Sequence, residues 1–217
     1  MTKLLAKEWK LCMHPMGFFI PLLCALVLVP NYPYGVCCFY VGLLIFFICL
    51  SARENHDAGF TLTLPVSRED AVRARILFCV ILQCVSILLM GGFILLKGVI
   101  GNMPNQAGLD ANLAMIGEAF LIYAIFNLVF FPLYYKDITK PGKAFVIAGA
   151  AIFAWVIFEV AATYTVPFVQ FKLDRPDPEY MAEKGLFTLG AFALYAAGTY
   201  SAALRSAKKF SATDLAL

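Results

Sequence analysis

Side chains able to move protons, hold metals or form covalent intermediates are scarce in this chain, and their spacing excludes most enzyme chemistry. The two histidines, His14 and His56, stand far apart, and neither belongs to an H-E-x-x-H pair that would bind zinc beside a general base. No G-x-S-x-G elbow presents a nucleophilic serine. No G-x-x-x-x-G-K-[S/T] loop cradles phosphates, so an ATP-driven process would need its nucleotide site on another polypeptide. The seven cysteines lie in or beside apolar runs without a C-x-x-C, and read as small apolar filler rather than a metal site or disulfide framework. What remains is a few polar groups inside apolar runs: Gln83, Glu118, Asn127 and Glu159 above all. Ionisable groups within a membrane are costly and usually functional, so these four are candidates for lining a translocation path. The plainer reading is hydrogen bonding between helices, which suits Gln83 and Asn127 best. Glu118 falls near the outer end of its run, where water can reach it.

The elements that would position these groups are membrane spans. The chain of 217 residues is 62% hydrophobic and only 14% charged, against about 25% charged in soluble domains. Apolar runs near the length of a bilayer crossing recur over residues 16–29, 34–52, 75–99, 112–135, 144–168 and 185–204. Six spans predict an all-α polytopic membrane protein with one domain over 1–217. The first run is short and carries Pro21. Asp177-Pro178 has the form of a helix N-cap followed by proline, placing the start of the last helix there. With the N-terminus inside, thirteen Lys and Arg fall on inner segments and four on outer ones, a positive-inside bias that places both termini in the cytoplasm. Residues 1–14 set Lys3, Lys7, Lys10 and His14 on one stripe and Leu4, Leu5, Trp9, Cys12 and Met13 on the other side, as in a helix lying among lipid headgroups. The basic residues follow the inner membrane face and do not indicate nucleic-acid binding. The small residues of the fifth and sixth runs favour packing within the chain over a dedicated dimer seam.

Between the second and third runs lies the longest charged stretch that does not span, residues 53–76, with four basic and four acidic residues. Its first part, 53–61, can form a short helix that Gly59, Thr61 and Thr63 weaken. Pro65 stops it and holds Leu64 extended. Ser67-Arg68-Glu69-Asp70 then matches a capping box, and Glu69 with Arg73 makes a favourable i,i+4 pair. No stop signal follows, so this helix should run straight into the third span.

Glu54 followed ten residues later by Leu64-Pro65-Val66-Ser67-Arg68, then Val72 and Ala74-Arg75, resembles the cytoplasmic loop of type-2 ABC transporter permeases. The six-run layout extends the resemblance to the whole chain, and its compactness is similar to small bacterial exporters of peptides, bacteriocins or lantibiotics. The resemblance implies that residues 53–76 carry a coupling helix, with Glu54, Asp57, Phe60, Leu64, Pro65, Ser67 and Arg68 docking on an ATP-binding subunit. It further implies an N-terminal elbow helix, a second permease copy (identical or related), and the bacterial cytoplasmic membrane as location. ATP and magnesium would then sit on the partner, and this chain would hold no cofactor. A hydrophobic or amphipathic cargo suits the apolar spans. A membrane sensor or immunity protein without ATP coupling is the alternative, and a secondary transporter is a third.

Overall fold

The computed structural model describes residues 2–101 and 104–212, and every regular element among them is helical. Helix α1 (Thr2–Lys7) continues as a wider π turn, Glu8–Cys12, and two tighter 3₁₀ segments follow, Pro15–Phe18 and Ile20–Leu28. The long helices are α2 (Gly35–Glu54), α4 (Arg68–Ile100), α5 (Leu113–Tyr134), α6 (Pro141–Thr165) and α7 (Met181–Ser211); the short α3 (Asp57–Thr63) lies between α2 and α4. Five helices are long and apolar enough to cross a membrane. A sixth crossing exists only if the N-terminal pair, Thr2–Cys12 and Pro15–Leu28, is counted as one span bent by 108°.

The run at 16–29 therefore departs from a regular α-helical span. Pro15 and Pro21 supply no backbone N–H, and both stand within the first two positions of a 3₁₀ segment. The tighter winding rises about 2.0 Å per residue instead of 1.5 Å, which lets a short apolar run reach deeper.

Helix α5 forms the centre, packed most extensively on α7 and next on α6. Close approach to α7 depends on Gly117, where a Cβ would stand 2.9 Å from the Phe187 ring and 3.1 Å from the Thr188 backbone. On its other side, Phe126, Phe130 and Tyr134 stack in sequence, with ring centroids 4.8 and 5.8 Å apart, and are buried. Large apolar side chains on α4, α6 and α7, such as Leu88, Leu95, Val146, Ile157, Leu186 and Leu189, remain exposed. A soluble protein rarely leaves such faces bare; here they suit lipid.

The last helix starts at Met181, beyond the expected cap. Asp177 serves another helix instead. Its carboxylate accepts the Leu113 N–H at 2.9 Å and Lys184 Nζ at 2.7 Å. It thus places negative charge at the α5 N-terminus, beside Asn112, whose Oδ1 accepts the Ala114 and Met115 N–H groups. Helix α6, by contrast, starts earlier than expected, with Pro141 at its first turn, so Lys143 is helical rather than in the connecting loop.

Candidate functional site

Residues 53–76 form a knob whose shape follows from local chemistry. Helix α2 ends at Glu54, and His56 turns the chain with φ 50° and ψ 33°, a left-handed conformation that non-glycine residues adopt only at turns. The short helix begins at Asp57, a few residues later than the sequence pattern places it. At its end the Thr63 hydroxyl donates to the Phe60 carbonyl at 2.7 Å, competing with the helix ladder. Leu64, before Pro65, is extended at φ −81° and ψ 153°. Ser67 Oγ then accepts the Asp70 N–H at 3.0 Å and donates to the Asp70 carboxylate at 2.7 Å. From this cap α4 runs unbroken for 33 residues, about 50 Å at 1.5 Å each. Arg73 and Glu69 pair at 3.2 Å on its exposed side.

What fastens α3 is a buried ionic network that the spacing of residues does not announce. Arg75 donates through Nη2 to Asp57 at 2.6 Å and to the Cys12 sulfur at 3.2 Å, and through Nε to Glu8. Lys7 Nζ donates to both Asp57 oxygens at 2.9 and 3.1 Å and to Thr61 Oγ1 at 2.7 Å, and pairs with Glu8 at 3.0 Å. Glu8 and Arg75 are 2% and 4% exposed. Burial pushes the Asp57 carboxyl upward, but Arg75 and Lys7 outweigh it and hold the group below its ordinary pKa. Two cations and two carboxylates thus join α1, α3 and the first turns of α4.

This corrects the reading of residues 1–14. Lys7 belongs to the interior network and not to an outward basic stripe, whereas Lys3 and Lys10 are exposed. The inward stripe is Leu4, Glu8 and Cys12, four residues apart. An acidic residue on the apolar side of a basic helix was the available signal. The Glu8 and Asp57 carboxylates and the Cys12 sulfur lie within 4.8 Å of one another, a spacing compatible with a metal. Arg75 already bonds all three and Lys7 bonds both carboxylates, so a further cation does not fit.

Asp57 therefore faces inward and anchors the knob, while Glu54, Phe60, Pro65 and Ser67 are exposed and Leu64 is partly so. Phe60 is 52% exposed, an aromatic ring presented to the outside on a polar loop. Arg68 reaches the far end of the chain: its guanidinium donates to the Phe210 carbonyl at 3.3 Å and lies 5.9 Å from that ring's centroid. Behind α3, between it and the ends of α5 and α7, lies a cavity of about 480 Å³.

The four polar groups within the spans form two separate sets. Gln83 and Asn127 are fully buried and exchange amide hydrogen bonds at 2.8 and 3.1 Å. Asn127 also donates to Thr199 Oγ1 at 2.9 Å, and Tyr195 donates to Gln83 Oε1 at 2.8 Å. This ties α4, α5 and α7 together, the arrangement expected of interhelical polar pairing. Glu118 and Glu159 belong to the opposite end from α3. Glu118 accepts the Trp155 indole N–H, and Glu159 accepts the Leu109 N–H at 2.7 Å, holding the loop before α5. In that loop region Asp174 accepts the Asp110 N–H at 2.8 Å, and burial with Asp110 nearby pushes the Asp174 carboxyl up to about 6. None of the four candidates lines the cavity behind α3.

Residues 3–202 match the family model described as ABC-2 family transporter protein. No curated protein and no solved structure matches the chain.

Proposed function

Since the chain belongs to the ABC-2 family of transporter proteins, a family of multi-pass membrane permeases that work with an ABC ATP-binding subunit, we propose that it is the membrane subunit of an exporter and that α3 is where the partner docks. The observation that carries this reading is the two-sidedness of α3. Its inner side is locked by Asp57 and Thr61 to Lys7 and Arg75, while Glu54 and Phe60 beside and on it face outward. A surface that receives force must be fastened on one side and available on the other. The extended residues 64–67 separate α3 from α4, but the Asp57–Arg75 pair bridges them, so displacement of α3 would pass into α4, a continuous helix from the Ser67 cap.

In this reading the knob faces the cytoplasm, which the thirteen-to-four distribution of Lys and Arg supports. Two permeases pair over two ATP-binding subunits, which hold ATP and magnesium and do the bond chemistry. The exposed apolar faces of α4, α6 and α7 meet lipid and the second copy. Cargo is hydrophobic or amphipathic and leaves a bacterial cell across its cytoplasmic membrane. Family membership favours this over a sensor, an immunity protein or a secondary transporter.

The test is ATP hydrolysis by the reconstituted complex, beside thermal stability of the permease alone. Glu54→Lys should abolish transport-coupled hydrolysis with the permease still folded, because a reversed charge at an interface costs several kcal/mol. Full hydrolysis in Glu54→Lys and in Phe60→Ala would remove α3 from the docking role.

A further inference from the structure

Part of the lining of the cavity behind α3, Arg53 and an aromatic wall, is used by none of the roles above. Its charges divide into two groups. Lys7 and Arg75 on the floor are matched by Glu8 and Asp57. Arg53 and His56 stand at the mouth and are exposed. Among the described residues the polar contacts of the Arg53 side chain are long, 3.4 Å to the Thr139 carbonyl and 3.7 Å to Glu54, and the side chain is 43% exposed. Arg53 is therefore the cation of the lining whose carboxylate partner, Glu54, stands outside the lining, in a cavity whose floor is balanced. Its far wall is aromatic. Tyr134, Tyr135 and Phe210 meet edge to face, with centroids 5.0 and 5.4 Å apart, and all three are buried. A volume of about 480 Å³ lies within the range of small-molecule sites.

We propose that this cavity binds a small amphiphile bearing one anionic group, with Arg53 holding the anion at the mouth and the Tyr134–Tyr135–Phe210 wall holding the apolar body. A guanidinium with weak existing partners forms charge-assisted bonds to a phosphate or carboxylate. A cationic amphiphile would meet Arg53 as a like charge. The same chemistry is offered by an anionic phospholipid or by a soluble amphiphile, and the experiment separates them.

The test uses the full chain without any partner, so its result is independent of ATPase coupling. Native mass spectrometry in a non-ionic detergent follows titration with decyl phosphate, decyltrimethylammonium and, separately, phosphatidylglycerol. Decyl phosphate should give one saturable adduct per chain and decyltrimethylammonium none. Arg53→Gln should weaken the adduct about tenfold, the loss of one charge-assisted hydrogen bond, and Ala71→Leu, which fills the cavity, should weaken it comparably. Ala71→Val serves if the larger residue disturbs folding. A single phosphatidylglycerol adduct displaced by decyl phosphate assigns the site to lipid; decyl phosphate binding alone assigns it to a soluble amphiphile. Equal binding of the cationic and anionic probes, or an adduct indifferent to Arg53→Gln or to cavity filling, overturns the proposal.

Discussion

Removing Arg75 should be among the most damaging single changes available outside the hydrophobic core. The guanidinium is 4% exposed and bonds Glu8 and Asp57 at once. Arg75→Gln leaves two buried carboxylates with Lys7 as their only cation, and breaking a buried ion pair typically costs about 3–5 kcal/mol. Glu8→Gln should fall near the lower end of that range, since Asp57 still neutralises Arg75. The informative quantity is the double variant. With both changes no unmatched charge remains at the Glu8–Arg75 contact, so the loss should be smaller than the two single losses combined by about 1–3 kcal/mol. Helicity followed through SDS-induced unfolding in mixed micelles measures all four proteins. Glu69 and Arg73, about half exposed, make the control; their cycle should give no more than about 0.5 kcal/mol. If the Glu8 and Arg75 losses add to within about 0.5 kcal/mol, the network does not act as a unit, and the argument that it fastens α3 fails.

Three further outcomes are expected. In cysteine-accessibility labelling, His56→Cys and Lys140→Cys should react from the cytoplasmic side and Gln106→Cys and Glu179→Cys from the other; either of the first pair reacting from outside overturns the topology. Charge reversal at the exposed Lys3 and Lys10 should weaken membrane association by about 1 kcal/mol per residue in anionic lipid. Lys7→Glu should lower stability even in neutral detergent, and identical behaviour of all three would return Lys7 to the surface stripe. The Asp174 carboxyl, raised to about 6 from an ordinary 3.8, favours its protonated form when folded. The stabilisation is therefore fully present below about pH 4 and is lost as pH rises through about 6. Asp174→Asn keeps an acceptor for the Asp110 N–H, so it should stabilise the protein at pH 7 and flatten this dependence. A melting profile unchanged from pH 5 to 7 in the parent would refute it.

What the sequence made legible was local. The Ser67–Asp70 cap, the Glu69–Arg73 pair and the extended Leu64 each depend on residues within four positions of one another, and each is present. Apolar run length located the five long helices, because the bilayer sets that length. Contacts across the chain were not legible. Asp177 looked like a cap for its own helix and instead bonds the start of α5, 64 residues earlier. Lys7 fitted a basic stripe by spacing, yet its partner Asp57 is 50 residues away. Gln83 and Asn127 were visible as polar groups in apolar runs, but their mutual pairing depends on how α4 meets α5. The winding of the first run was not legible for a different reason: two prolines favour the tighter 3₁₀ turn, and composition alone does not reveal rise per residue.

Helix α4 is a beam tied through Arg75 near one end, through Gln83 near its midpoint and through Lys97 to Tyr34 near the other end, and the midpoint tie is the one that joins it to two other long helices. Gln83, through which it is knotted to α5 and α7, stands about 23 Å from the Arg68 end and about 26 Å from the Ile100 end at 1.5 Å per residue. A beam pinned there rocks like a seesaw with arms of nearly equal length. Sideways motion of the end beside α3 would arrive at the opposite membrane face at similar size and with reversed direction, neither amplified nor damped. Gating at the far face would then be limited by how far the near end is pushed, and softening the Gln83 knot would blunt the response at the far end without touching either terminus of the beam.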